Sequence, residues 1–184
     1  MKKITFATTN KDKFNRAQKN LVSRGIELIQ EDMDMTELQL FDGVQITIDK
    51  ASQAFSQLQR PVLVNDDSWD IPTLNGFPGA FMKQCNHYLK AKDWQKLMAD
   101  QKDRRAFLIS HFAYHDGNEI HTTTSKVEVY FLDKPQGAHS GAPHLETVAR
   151  KGSNKSIAEQ LSEGIHDEAG DPGFWDELAS IIKK

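Results

Sequence analysis

Residues 62–81 read VLVNDDSWDIPTLNGFPGAF. Pro61 and a run of aliphatics lead into Asn65, Asp66 and Asp67, and a dense turn follows, Asn75-Gly76-Phe77-Pro78-Gly79. The pattern predicts a strand that starts at Pro61 and stops in the acids. In open α/β sheets, ligands bind beyond the carboxyl ends of the strands. Adjacent carboxylates at such a place can hold Mg²⁺ through oxygen or orient an attacking water. Their plainer role is to cap the next turn. Like charges repel, so at least one of the pair needs a cation or hydrogen-bond donors beside it. Glu37, in an acidic loop, offers a third carboxylate. The glycines of the turn let backbone approach a ligand, and Lys83 in the helix expected next can reach a phosphate. As an ordinary turn, the same segment would simply leave Lys83 exposed.

Upstream, KITFAT (3–8) predicts a strand. Thr9-Asn10 opens a helix over about 11–24, with Phe14, Ala17 and Leu21 on one face. Gly25 ends it, and IELIQ (26–30) predicts a second strand. A strand–loop–helix–strand unit favours the α/β class. An acidic loop (32–43) precedes a helix expected from Thr47 to Leu58. Thr8, Thr9 and Asn10 place hydroxyls and an amide where a strand meets a helix N-terminus, whose free N–H groups suit an anion. Lys13 is in reach of the same anion. These residues would equally serve as an N-cap with solvated lysines. The segment is not a Walker loop, because the glycines are missing.

Downstream, residues 80–99 predict two helical pieces broken near Lys92-Asp93. Residues 104–132 predict two long strands joined at Asp116-Gly117-Asn118. A loop (134–143) and helices over 155–162 and 173–183 complete the chain. No linker divides it, so one domain over 1–184 is expected, with two lobes.

The chain has 184 residues with a formal net charge of −3, and 27% of its residues are charged. That composition excludes disordered and fibrous classes and gives no basic surface for nucleic acid. A single cysteine, Cys85, excludes an internal disulfide and a cysteine-based zinc site. The N-terminus lacks the apolar core of a signal peptide, and no apolar run has the length of a membrane helix. A cytoplasmic protein without membrane partners is expected. His111 and His115 share a strand face but stand about 13 Å apart, too far for a ligand pair. His139, His144 and His166 are scattered, and Trp69, Trp94 and Trp175 read as core.

TTNKDK (8–13), DMTELQ (34–39) and VLVNDDSWDIPTLNGFPGAFMK (62–83), in that order, resemble the inosine triphosphate pyrophosphatase family. So does GSNKSIAE (152–159). The resemblance covers most of residues 3–162 and is most specific over 66–83. It implies an elongated, two-lobed α/β fold around a central mixed sheet, and a homodimer. It implies Mg²⁺-dependent hydrolysis of a nucleoside triphosphate to the monophosphate and pyrophosphate, with Mn²⁺ as an alternative ion. By position, Thr8, Thr9, Asn10 and Lys13 match a phosphate-binding motif. Glu37 matches a metal-ligand acid, Lys50 a lysine near the triphosphate, and Lys83 a further phosphate-binding lysine. Asp66-Asp67-Ser68 matches an Asp-Asp-Ser pattern. By this resemblance either aspartate can be the working acid: Asp66 matches the acid that binds metal or activates water, Asp67 is the alternative catalytic acid, and Ser68 is assigned to substrate.

The chain departs from the family in two places. Read without gaps, Asn65 stands where the family has an acid, which would weaken Mg²⁺ binding. The family's Gly-Phe/Trp-Asp-Pro base-binding segment appears here as Pro143-His144-Leu145-Glu146. Its Ser-His-Arg is not recognisable in EGIHDEAGDPGFWDE (163–177), apart from His166. Base-reading contacts set selectivity strongly, so a substrate other than the usual deaminated purine is expected. The alternatives are a nucleotide-binding protein that has lost catalysis and an interaction scaffold on the same fold.

Overall fold

The computed structural model describes residues 1–165 and 172–184. His166, the one echo of the Ser-His-Arg segment, lies outside them. Seven strands form one mixed sheet in the order β2-β1-β3-β5-β6-β7, with β4 pairing with β3. These are β1 (Lys2–Ala7), β2 (Ile26–Glu31), β3 (Val62–Asp70), β4 (Pro78–Gly79), β5 (Arg105–His115), β6 (Ile120–Phe131) and β7 (Val148–Arg150). The helices are α1 (Lys11–Val22), α2 (Gly43–Leu58), α3 (Met82–Tyr88), α4 (Ala91–Leu97), α5 (Ile157–Ser162) and α6 (Pro172–Lys183). The α/β class and mixed sheet expected from the sequence are present.

The chain forms two compact units. The first holds Met1–Asp67, Ser110–Lys126 and the described residues from 172 onward. Here β1 pairs in parallel with both β2 and β3. Successive side chains of a strand face opposite ways, so each strand feeds two packing layers. On one face Ile4, Phe6, Leu63, Phe112 and Tyr114 pack with Ala17 and Leu21 of α1 and with Trp175 and Leu178 of α6. On the other, Ala7, Val62, Val64 and Ala113 pack with Ala51 and Ala54 of α2. The two helices therefore cover opposite faces of the same strands.

The second unit holds Ser68–Ile109 and the described residues from 127 to 165. Its core gathers Ile71, Trp94, Met98, Ala106, Val129 and Val148. The end of β3 pairs antiparallel with β4, and β6 pairs antiparallel with β7.

Three boundaries differ from expectation. First, β3 does not stop at the acids but runs through them to Asp70. Its polar residues are retained in the strand because hydrogen-bond and charge partners surround them. Second, α2 starts at Gly43 rather than Thr47, because Asp42 accepts from the N–H groups of Val44 and Gln45. Third, the break between α3 and α4 falls at Leu89-Lys90 rather than at Lys92-Asp93. The turn after β3 needs its glycines for conformation: Asn75, Gly76 and Gly79 all have left-handed backbone. No atom comes closer than 3.9 Å to a Cβ built at Gly76 or Gly79, so crowding is not the reason.

Candidate active site

The first unit brings most of the expected residues to one stretch of β3. Phe6 is level with Leu63, and β1 ends at Ala7. Asp66 and Asp67 therefore stand beyond the carboxyl end of β1, where α/β sheets present ligands. Being consecutive in a strand, they face opposite sides. Each side has its own cation.

On the α2 side, Lys50 Nζ lies 2.6 Å from Glu37 Oε1 and 2.5 Å from Asp66 Oδ1. All three side chains are largely buried. Burial alone would lower the Lys50 pKa. The Asp66 carboxylate, then Glu37, outweigh burial and raise it above the ordinary lysine value. His111 stands on the same side of β5, its Nδ1 3.1 Å from Thr124 Oγ1. Its pKa is lowered by burial, against the pull of Asp66, Asp67 and Asp42. A Cβ on Gly43 would meet the His111 ring at 2.5 Å, so glycine is what lets α2 start against that ring.

On the α1 side, four donors converge on Asp67. Lys13 Nζ is 3.3 Å from Oδ2. Arg16 Nη2 is 3.7 Å from Oδ1. Ser110 Oγ donates to Oδ1 at 2.7 Å, and Asn65 Nδ2 donates to it at 3.0 Å. Burial would raise the Asp67 pKa, but Lys13, Arg16 and Ser110 reverse this and hold it at about 2. Asn65, which replaces an expected acid, thus acts as a neutral donor to Asp67.

The loop before α1 is held locally. The Asn10 side chain caps α1 by accepting from Lys13 N, and Asn10 N donates to Thr8 Oγ1. Thr8 is buried and its N–H bonds Glu31 O, so it shapes the loop, while Thr9 is exposed. Ser68 is buried in β3 and Lys83 is exposed on the first turn of α3; both belong to the second unit.

Arg16 was not among the expected site residues. It reads as a solvated helix cation, and its partner is distant in sequence. Its spacing of three from Lys13 does put both on one helix face, which is the signal that could have revealed it. In the second unit, His144 of the expected base-binding segment is buried. Its Nδ1 lies 3.0 Å from Asn86 Oδ1, and its ring meets Trp69 edge-on at 4.7 Å.

A family model described as the Ham1 family matches residues 4–142, most of the chain. The chain belongs to the Ham1 family. Among its Ham1 relatives, a dITP/XTP pyrophosphatase of Methanopyrus kandleri is 31% identical over 158 residues, covering 85% of this chain and 84% of the relative. An inosine triphosphate pyrophosphatase of Phaeosphaeria nodorum is 34% identical over 115 residues, covering 62% of this chain and 60% of that one. The Ham1 fold is also shared with a solved HAM1 protein of Coxiella burnetii. The TM-score is 0.74 at 20% identity, over 100% of this chain and 99% of that one. The Staphylococcus aureus Ham1 protein gives 0.71 at 17% identity, over 99% and 98%.

Proposed function

We propose that this Ham1 chain is a nucleoside triphosphate pyrophosphatase, hydrolysing its substrate between the α- and β-phosphates to the monophosphate and pyrophosphate. The observation that carries the reading is the paired arrangement on β3. Two consecutive carboxylates beyond the end of β1 are each joined to a lysine, Asp66 to Lys50 and Asp67 to Lys13. The names of the Ham1 relatives support the same chemistry.

Phosphoryl chemistry asks the protein mainly for positioning and charge neutralisation. Lys50, with its raised pKa, keeps its charge at neutral pH and offers it to a phosphate oxygen. Lys13 and the adjoining N-terminus of α1 do the same from the other face. Asp66 is better suited than Asp67 to orient the attacking water. Asp67 Oδ1 already accepts from Ser110 and Asn65 and Oδ2 faces Lys13, and a carboxylate with a pKa of about 2 is a weak base at neutral pH.

Mg²⁺ is commonly held by one or two carboxylates together with substrate phosphates. Glu37 and Asp66, whose oxygens converge on one positive point at Lys50 Nζ, are of that kind and number. No group of three or more His, Cys, Asp or Glu among the described residues could hold a metal, so the substrate would have to complete the set. When bound, the ion would neutralise charge on the phosphates. Mn²⁺ would substitute on the same ligands.

Base preference is proposed to differ from that of the named relatives, because the segment matching their base-reading part is built into a core around His144. A homodimer is proposed from the family resemblance. No helix among the described residues is long and apolar enough to cross a membrane.

Pyrophosphate release from a panel of nucleoside triphosphates, with Mg²⁺ or Mn²⁺, tests the reading. Release that Asp66→Asn abolishes is expected, without a strong preference for inosine or xanthosine triphosphate. If every triphosphate stays intact, the enzyme assignment is wrong. Tight binding without turnover would then indicate a nucleotide-binding protein that has lost catalysis.

A further inference from the structure

We infer that Arg16 is a second phosphate-gripping cation of this site, kept in place by Asp67, which acts as a positioning residue. The inference rests on the triphosphate reading above.

A carboxylate has about four lone-pair sites. Around Asp67, Lys13, Arg16, Ser110 and Asn65 supply four donors. Three of these approach Oδ1 and only Lys13 approaches Oδ2, so the charge of Asp67 goes mainly to holding neighbouring side chains. The charges do not cancel, since two cations meet one anion and a net positive charge remains on this face. A structural ion pair needs only one cation, and the surplus suits an incoming polyanion.

The Arg16 geometry points the same way. Its contacts to Asp67 and Ser110 are both made by Nη2, at 3.7 and 3.2 Å. Nε is buried and has no hydrogen-bond partner among the described residues. An unpaired buried donor is unfavourable, and a guanidinium fork is made for bidentate contact with phosphate. Asn65, which also contacts Asp67, likewise has its Oδ1 buried without a partner among the described residues, so the polar groups around Asp67 are incompletely satisfied. The side chains of Lys13, Arg16 and Asp67 each keep about a fifth of their surface exposed, which leaves solvent access. Lys13 and Arg16, three apart on α1, present both charges from one helix face.

Inorganic tripolyphosphate is the direct probe, because it carries the phosphates without the base. Titration calorimetry would compare the intact chain with Arg16→Gln and Arg16→Lys, each checked by circular dichroism for folding. Steady-state kinetics on the preferred triphosphate would be run alongside. Arg16→Gln is expected to weaken tripolyphosphate binding and raise KM about tenfold or more, with kcat changed far less. Arg16→Lys should recover part of the loss, as a point charge without the fork. If Arg16→Gln lowers only the melting temperature and leaves both binding and KM unchanged, Arg16 is a structural partner of Asp67 and the inference is wrong. Arg16-dependent tripolyphosphate binding in a chain that hydrolyses nothing would keep this inference and remove the enzymatic one.

Discussion

Asp66 and Asp67 are neighbours in the chain but belong to opposite faces of the sheet: Asp66 reaches Lys50 at 2.5 Å, and Asp67 reaches Lys13 at 3.3 Å. The repulsion expected between adjacent acids is resolved by a single strand residue's change of face. Each carboxylate meets its cations separately, so each can be altered with little effect on the other.

Lys50→Met should destabilise the first unit. Lys50 is the shared partner of Glu37 and Asp66 and is largely buried. Removing it leaves two carboxylates facing each other without a cation, at a cost of about 3 kcal/mol. Urea unfolding at neutral pH would measure this, and loss of pyrophosphate release should accompany it. A variant as stable as the parent would show that the trio is not held as described.

Asp67 predicts a defined acid dependence. Its folded pKa, about 2, lies below the ordinary 3.8. The stabilisation it provides is therefore complete above pH 4 and is lost as the pH falls towards 2, amounting to about 2 kcal/mol. Asp67→Asn should lack this contribution. The stability gap between parent and variant should close across that window, and parallel curves would contradict the assignment.

Gly43→Ala tests the close approach of α2 to His111. The added Cβ would lie 2.5 Å from the imidazole, although no left-handed backbone demands glycine there. Displacing the ring should cost about 1 kcal/mol. In an His111→Ala background the penalty should vanish, since nothing remains to be displaced. A double-mutant cycle by thermal melting reads the coupling; an unchanged penalty would place its source elsewhere.

The parallel half of the fold was legible because its signals are local. Phe14, Ala17 and Leu21 repeat at helical spacing, and Gly25 has the positive φ that its place after α1 suggested. The end of β3 was not legible, because Asn65, Asp66 and Asp67 look like a strand terminus until their partners are known. Those partners come from α1, α2 and β5, and tertiary pairing overrides composition. The start of α2 was missed for a related reason: Gly43 and Val44 are poor helix formers, and the Asp42 cap compensates. Of the site, Lys13, Lys50, Glu37 and the two aspartates could be named from their motifs. How those residues sort into two charge clusters could not, because that depends on strand register. Arg16 needed the fold.

The cap at the start of α1 decides what Asn10 can still offer. Its Oδ1 is committed to Lys13 N, at 3.0 Å. The two amide hydrogens have no part in the cap, so Asn10 can greet an acceptor while it holds the helix start. Aspartate is as good a cap as asparagine. Asn10→Asp should therefore leave the melting temperature almost untouched while turning that greeting into a rebuff for any phosphate, which separates scaffolding from recognition within one side chain.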